Sequence, residues 1–226
     1  MHSLGAVLAL VSAAFWALAA VLWRRMGDEM SPYDMNLAKG LFGGAYLALA
    51  LACVGATPVG AGEFLSLGLS GVVGIALGDS YYFMSLINLG PRLATLLLGT
   101  LSPLLTAVLA VVFLKERPSP AAWAGISIAV GATTWVMADG RPAGRGSEPS
   151  SRGDWMKGIR QGLVSALCMA LGTVLAKKGA AAAPAIEATL IRIVFGLGAL
   201  ILWGAAKGRM KGSLSVLCRP RGFLRL

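Results

Sequence analysis

One acidic residue lies deep inside an apolar stretch of this sequence, where a charged side chain has a high cost in free energy. Asp79 has apolar sequence on both sides. A carboxylate at the centre of a membrane span costs roughly 2.5–3.5 kcal/mol, so such an acid should face a bundle interior or a wet cavity. Asp79 could therefore exchange protons or bind the cationic group of a substrate. The alternative is a structural acid that is hydrogen-bonded to a neighbouring helix or to nearby hydroxyls.

Three more polar side chains lie in apolar runs and could line the same pocket. Tyr82 lies one helical turn from Asp79, and an aromatic ring with a polar tip suits an amphipathic substrate. Packing or a place in an interfacial aromatic belt is its alternative. Lys39 and Arg192 lie about two turns into their own runs. They could bind an anionic substrate group or pair with an acid, or their side chains could snorkel to the nearer headgroups.

A proline interrupts a further apolar run at Ser102-Pro103. Proline removes one backbone N–H and frees a carbonyl about one turn earlier. A kink of this kind near the middle of a membrane can expose backbone to a substrate or act as a hinge. A static kink, satisfied by a neighbouring hydroxyl, is the alternative.

The remaining reactive residues do not indicate enzyme chemistry. The three cysteines form no spaced cluster, and the one histidine is His2, at the terminus. Neither a metal site, a cofactor nor a disulfide framework is predicted. A membrane enzyme would need clustered acids, or His and Cys near a membrane face, whereas Asp79 stands alone. We therefore expect a protein that is not an enzyme.

The composition decides the class of protein that holds these residues. Hydrophobic residues make up 57% of the 226-residue chain and charged residues only 13%, and the mean hydropathy is +0.74. A water-soluble fold of this size could not bury so much apolar surface, and a disordered chain would have too much to bury. The sequence therefore predicts an all-α integral membrane protein.

The net charge of +10 raises the question of nucleic-acid binding. The basic residues lie mostly between apolar runs, so they are better explained as topology signals and headgroup contacts. The expected partners are the lipid bilayer and a small-molecule substrate, and no nucleic acid. A homodimer remains an open alternative.

Seven apolar runs are candidate membrane-spanning helices. They cover residues 4–23, 33–54, 64–89, 93–114, 120–137, 163–176 and 185–205. Ser31-Pro32 and Ser119-Pro120 provide helix caps, and Gly90-Pro91 should break the chain between the third and fourth runs. Residues 139–158, rich in Gly, Pro, Ser and charge, predict a polar linker.

The sequence repeats itself at an offset of 153 residues, without a gap. The match pairs residues of the same kind, including charged ones: Leu10-Val11-Ser12-Ala13 with Leu163-Val164-Ser165-Ala166, Arg24-Arg25 with Lys177-Lys178, Asp34 with Glu187, Lys39 with Arg192, and Phe42-Gly43 with Phe195-Gly196. The first unit holds five predicted spans, an odd number, so the second copy should enter the membrane from the opposite face. Inverted repeats of this kind are typical of transporters.

Several short stretches follow one another in a characteristic order and spacing: Leu77-Gly78-Asp79-Ser80-Tyr81-Tyr82-Phe83, Leu101-Ser102-Pro103, Leu114-Lys115-Glu116-Arg117, Gly125, Gly131, and Arg192 with Lys39 as its counterpart. These stretches give the sequence its resemblance to the drug/metabolite transporter superfamily, in its EamA-like branch. The resemblance implies a multi-pass protein of the cell membrane, a multi-helix bundle of inverted five-helix repeats. The implied activity is transport of a small metabolite or drug by alternating access.

The predicted organisation departs from the family in length. Residues 1–138 should form a complete five-helix unit, 139–158 the linker, and 159–226 a partial second unit of two helices and a basic tail. Because family members usually have ten helices, we expect a chain cut short after the seventh. The alternative function is a non-transporting membrane protein or scaffold that needs a partner to form a pathway. The predicted pathway residues are Asp79, Tyr82, Lys39, Arg192, Ser102 and Pro103.

Overall fold

The computed structural model describes residues 2–138, 152–180 and 183–208, and all regular structure in these ranges is helical. The α-helices are α1 His2–Met26, α2 Pro32–Val54, α3 Ala61–Ser70, α4 Ser80–Leu114, α5 Pro120–Ala138, α6 Arg152–Gly179 and α7 Ala185–Ala206. A π-helix, Gly71–Asp79, joins α3 to α4.

The predicted spans all fall within these helices. Among the described residues, four helical segments are long and apolar enough to cross a membrane: Pro32–Val54, Ala61–Leu114, Gly153–Gly179 and Ala185–Ala206. These segments make the chain a helical membrane protein. Seven crossings stay a prediction.

The long segment from Ala61 to Leu114 contains the predicted break. Gly90 has φ 80° and ψ 166°, a conformation that is open to glycine and strained for other residues. On one side of Gly90 the chain runs antiparallel to α6, and on the other side it runs parallel. Successive contacts show the order: Leu67 with Gly179, Gly78 with Ser165 and Ser85 with Gly158, then Leu97 with Gly162 and Glu116 with Lys177. The chain therefore reverses its direction at Gly90, and α6 lies along both arms.

Helices α2 and α7 pack antiparallel through small residues. A Cβ added at Gly40 would lie 2.6 Å from a methyl group of Leu197, and one added at Gly44 would lie 3.2 Å from Ile193. Such close approach is typical of helix pairs in membranes, where packing rather than the hydrophobic effect drives association. The Tyr33 hydroxyl donates a hydrogen bond to the Leu200 carbonyl, 2.9 Å away, and extends this contact.

The helix ends follow the sequence where the capping residues predict them. Ser31 has extended φ and ψ, and its Oγ accepts a hydrogen bond from the Asp34 N–H. Ser119 Oγ accepts one from the Ala122 N–H. The predicted linker spans residues 139–158. Its last part, residues 152–158, is helical because α6 begins at Arg152, and residues 139–151 lie outside the described residues.

Candidate functional site

The Asp79 carboxylate lies at the end of the π-helix and forms an ion pair with the Lys39 ammonium of α2. The Asp79 side chain is 3% exposed and that of Lys39 is 37% exposed. Charges this deep are tolerated only when paired, because an isolated one would lose its hydration without compensation. The predicted site residues Lys39 and Asp79 are therefore in contact, and the Lys39 ammonium binds an acid in the protein interior.

Arg192, the repeat counterpart of Lys39, approaches the same acid from α7. Its backbone carbonyl contacts Gly71, and its Nη2 would lie 3.7 Å from a Cβ at Gly74. Because backbone hydrogen bonds in a π-helix join residues five apart, Gly74 and Asp79 lie about one turn apart along it. The buried Arg192 Nε has no hydrogen-bond partner among the described residues.

Side chains from α2 and α6 hold the π-helix in place. The Asn36 Nδ2 donates hydrogen bonds to the Ile75 carbonyl at 2.8 Å and to Ser80 Oγ at 3.0 Å. Ser165 Oγ on α6 donates to the Gly78 carbonyl at 2.8 Å. A π-helix changes the backbone hydrogen-bond register, so carbonyls at its end can accept bonds from neighbouring helices. This arrangement fixes the position of Asp79.

Tyr82 lies beside the ion pair, in an aromatic cavity. The cavity has a volume of about 30 Å³ and is lined by Trp16, Ala19, Ala20, Trp23, Lys39, Tyr82 and Phe83. The Trp16 and Tyr82 rings are stacked with centroids 5.9 Å apart. Lys39 Nζ lies 6.0 Å from the centroid of Phe83, within reach of a cation–π interaction. The exposed part of the Lys39 side chain thus borders aromatic surface.

Ser102 and Pro103 belong to a second, larger cavity between the second arm of α4 and α6. This cavity has a volume of about 430 Å³, and hydroxyls of Ser102, Thr106 and Thr173 are among its lining groups. Glu116 and Lys177 also line it, and their carboxylate and ammonium groups lie 2.6 Å apart. The Thr106 Oγ donates to the Ser102 carbonyl at 2.7 Å. Lys39 and Tyr82 therefore line one cavity, and Ser102 and Pro103 line another.

Sequence reasoning missed Asn36 as part of the site. It is fully buried and lies one helical turn before Lys39 on the same face of α2. An amide inside an apolar run needs hydrogen-bond partners. The presence of Asn36 in such a run, three residues before Lys39, could therefore have indicated that it belongs to the site. Trp23 was missed as well, since a tryptophan near a helix end is equally typical of an interfacial belt.

The described residues contain no cluster of three or more His, Cys, Asp or Glu side chains that could hold a metal ion. Around the two cavities, the side chains form ion pairs and present hydroxyl groups and aromatic surface inside a helical membrane bundle.

Comparison with known proteins extends this description. No curated protein and no solved structure matches the chain. The model of the EamA-like transporter family matches residues 3–138, which include α1–α5, Lys39, Asp79 and both arms of the reversal at Gly90. This match covers more than half of the sequence, and the apolar helices agree with it. The chain therefore belongs to the EamA-like transporter family.

Proposed function

We propose that the protein moves a small metabolite or drug across the cell membrane by alternating access between two inverted units. The observation that carries this proposal is that equivalent residues of the two repeat copies lie against the same π-helix: Lys39 pairs with Asp79, and Arg192 lies beside Gly74. A site built by equivalent residues of two repeats lies between the units whose relative motion would open it to either face.

Contacts between α2 and α7 support the inverted arrangement. Gly40 contacts Leu197, and Gly44 contacts Ile193. At the offset of 153 residues, Leu197 corresponds to Gly44 and Ile193 corresponds to Gly40. Replacing each residue of the Gly40–Leu197 contact by its repeat counterpart therefore gives the Gly44–Ile193 contact. A two-fold axis in the membrane plane that relates the two units requires this equivalence.

The depths of the two cations agree with the same axis. Lys39 lies seven residues after the start of α2 at Pro32, and Arg192 lies seven residues after the start of α7 at Ala185. At 1.5 Å per residue, each lies about 10 Å from the start of its helix. Because α2 and α7 are antiparallel, these starts lie at opposite ends of the bundle. Asp79 then lies between the cations, near the middle of the membrane.

Within this proposal, the two cavities are parts of the pathway. Ser102 and Pro103 line the larger one, and Lys39 and Tyr82 line the aromatic one. Proton coupling would act at Asp79, the buried acid that pairs with Lys39. An Asp79→Asn variant in a pH-driven flux assay tests that part separately.

Accessibility of introduced cysteines tests alternating access without a known substrate. In a background with Cys53, Cys168 and Cys218 changed to Ser, cysteines at the partly exposed Ala19 and Ala107 report on the aromatic and the larger cavity. Membrane vesicles of both orientations are treated with an impermeant maleimide. We expect each cysteine to react from both sides while the vesicles stay sealed to a fluorescent dye.

The matched control is Ala170→Cys, since Ala170 is fully buried in α6. This cysteine should stay protected from both sides. Reaction of the two cavity cysteines from only one side would contradict alternating access and favour a scaffold. Reaction from both sides in vesicles that leak the dye would indicate a permanent pore instead.

A further inference from the structure

The cluster of Lys39, Asp79 and Arg192, called here the charge cluster, has one positive charge in excess. Its two bases face a single acid, and that acid is already paired with Lys39. The Arg192 guanidinium forms no ion pair with any residue that the structure describes, and its Nε is buried without a partner. An unpaired charge inside a bundle is costly, so the cluster favours one additional negative charge.

The aromatic cavity beside the cluster limits the size of that negative group. Lys39 lines this cavity, whose volume is about 30 Å³. A site for one water molecule needs roughly 10–15 Å³ on the same measure, so the cavity has room for two or three water-sized groups. The two oxygens of a carboxylate fit this space, whereas the four oxygens of a phosphate group exceed it.

The walls of the cavity indicate what the carboxylate is attached to. Trp16 is stacked on Tyr82 and remains 48% exposed. A flat apolar group could lie against the exposed part of the indole while its carboxylate reaches Lys39. The polar wall and the aromatic wall together suit an amphipathic ligand.

We infer that the charge cluster binds the carboxylate of an amphipathic monocarboxylate, whose apolar part lies on Trp16. The Lys39 ammonium donates hydrogen bonds to the bound carboxylate, and Asp79 is then neutralised by Arg192. One bound monocarboxylate brings the cluster to zero net charge. A cationic ligand would compete with Lys39 for Asp79 and raise the excess to two positive charges. This inference rests on the proposed transport function, because it names the substrate class of the same site.

Direct binding tests the inference independently of transport. The purified full-length chain in lipid nanodiscs is titrated with radiolabelled phenylacetate in a scintillation proximity assay. Unlabelled phenylacetamide and phenethylamine serve as neutral and cationic competitors of similar shape. We expect saturable binding of phenylacetate that neither competitor displaces at equal concentration.

Four variants then assign the binding to the charge cluster. Lys39→Gln should weaken phenylacetate binding by about tenfold or more, because a hydrogen bond to a charged group is lost. Lys39→Arg should restore it. Asp79→Asn should tighten it, since Lys39 is then released from its acid. Lys178→Gln removes the same charge at an exposed position and should change nothing.

Three outcomes would overturn the inference. The first is that the folded wild-type chain shows no saturable binding of phenylacetate. The second is that phenethylamine displaces bound phenylacetate. The third is that the Asp79→Asn variant loses phenylacetate binding while the separate Lys39→Gln variant binds it as the wild type does. Size-exclusion profiles show whether each variant is folded, and recovery in Lys39→Arg separates loss of the positive charge from misfolding. The cysteine labelling described above measures alternating access without any ligand. Failure of phenylacetate binding would therefore contradict this inference without contradicting the proposed transport function.

Discussion

Replacing Gly71 with alanine should separate α7 from the π-helix and destabilise the bundle. A Cβ at Gly71 would lie 2.7 Å from the carbonyl carbon of Arg192 and 2.8 Å from its Cα, and it would contact the carbonyl oxygen more closely still. Ordinary contacts begin at 3.4 Å, so α7 would have to move by at least about 0.7 Å, the difference between 3.4 and 2.7 Å. These are backbone atoms, so no side-chain rotation can relieve the overlap.

The expected loss is about 1–3 kcal/mol in the free energy of unfolding, the usual cost of overpacking. Gly198→Ala is the matched control, because Gly198 lies in α7 with nothing within 4 Å of an added Cβ. That change should stabilise the helix by about 0.5–1 kcal/mol, since alanine loses less backbone entropy than glycine. The two Gly→Ala changes should therefore have opposite signs.

Unfolding in detergent micelles with increasing SDS, followed by circular dichroism, measures both free energies. Equal stability of Gly71→Ala and the wild type would refute the reasoning, because α7 could then not approach the π-helix as closely as described. The same variant should move Arg192 away from Gly74 and so weaken phenylacetate binding, which links the packing of α7 to the charge cluster.

Three further changes test other parts of the structure by the same unfolding assay. Asn36→Ala should cost about 1–3 kcal/mol, because the Ile75 carbonyl and the buried Ser80 hydroxyl lose their donor; a cost below about 0.5 kcal/mol would contradict these bonds. Gly90→Ala should cost about 1–3 kcal/mol, since alanine is strained at φ 80°, and an unchanged midpoint would argue against the reversal there. Glu116→Gln should cost less than about 1 kcal/mol, because its ion pair with Lys177 is largely exposed; high salt should remove even this difference, and a larger, salt-independent loss would contradict the exposure.

The apolar runs of the sequence predicted where helices lie, because composition and length alone decide which segments can be helical inside a bilayer. Local chemistry likewise predicted particular ends and breaks. Ser31 caps α2, and Gly90 interrupts the long helical segment. Each of these features depends on residues close together in the sequence, which is why they could be predicted. The membrane class and the EamA-like family followed from the same patterns and are confirmed.

The helix faces that meet could not be predicted in the same way, because two helices of known length can pack with many rotations and crossing angles. From the sequence, the partner of the Lys39 side chain could be lipid headgroups, an anionic substrate group or an acid. In the structure its partner is Asp79. The sequence also shows no sign of the π-helix that ends at Asp79. Ser102 and Pro103 line a cavity against α6, separate from the aromatic cavity of Lys39 and Tyr82, and spacing along the chain does not indicate this division.

Local sequence patterns thus predict that the chain forms apolar helices, where its backbone turns, and which charges lie deep in the helices. How those charges combine depends on the packing of the helices. Hydropathy and capping act over a few neighbouring residues, whereas the meeting of Lys39, Asp79 and Arg192 depends on how α2, α7 and the π-helix pack. That packing is set by glycines such as Gly71 and Gly40, whose small size matters only when another helix lies against them.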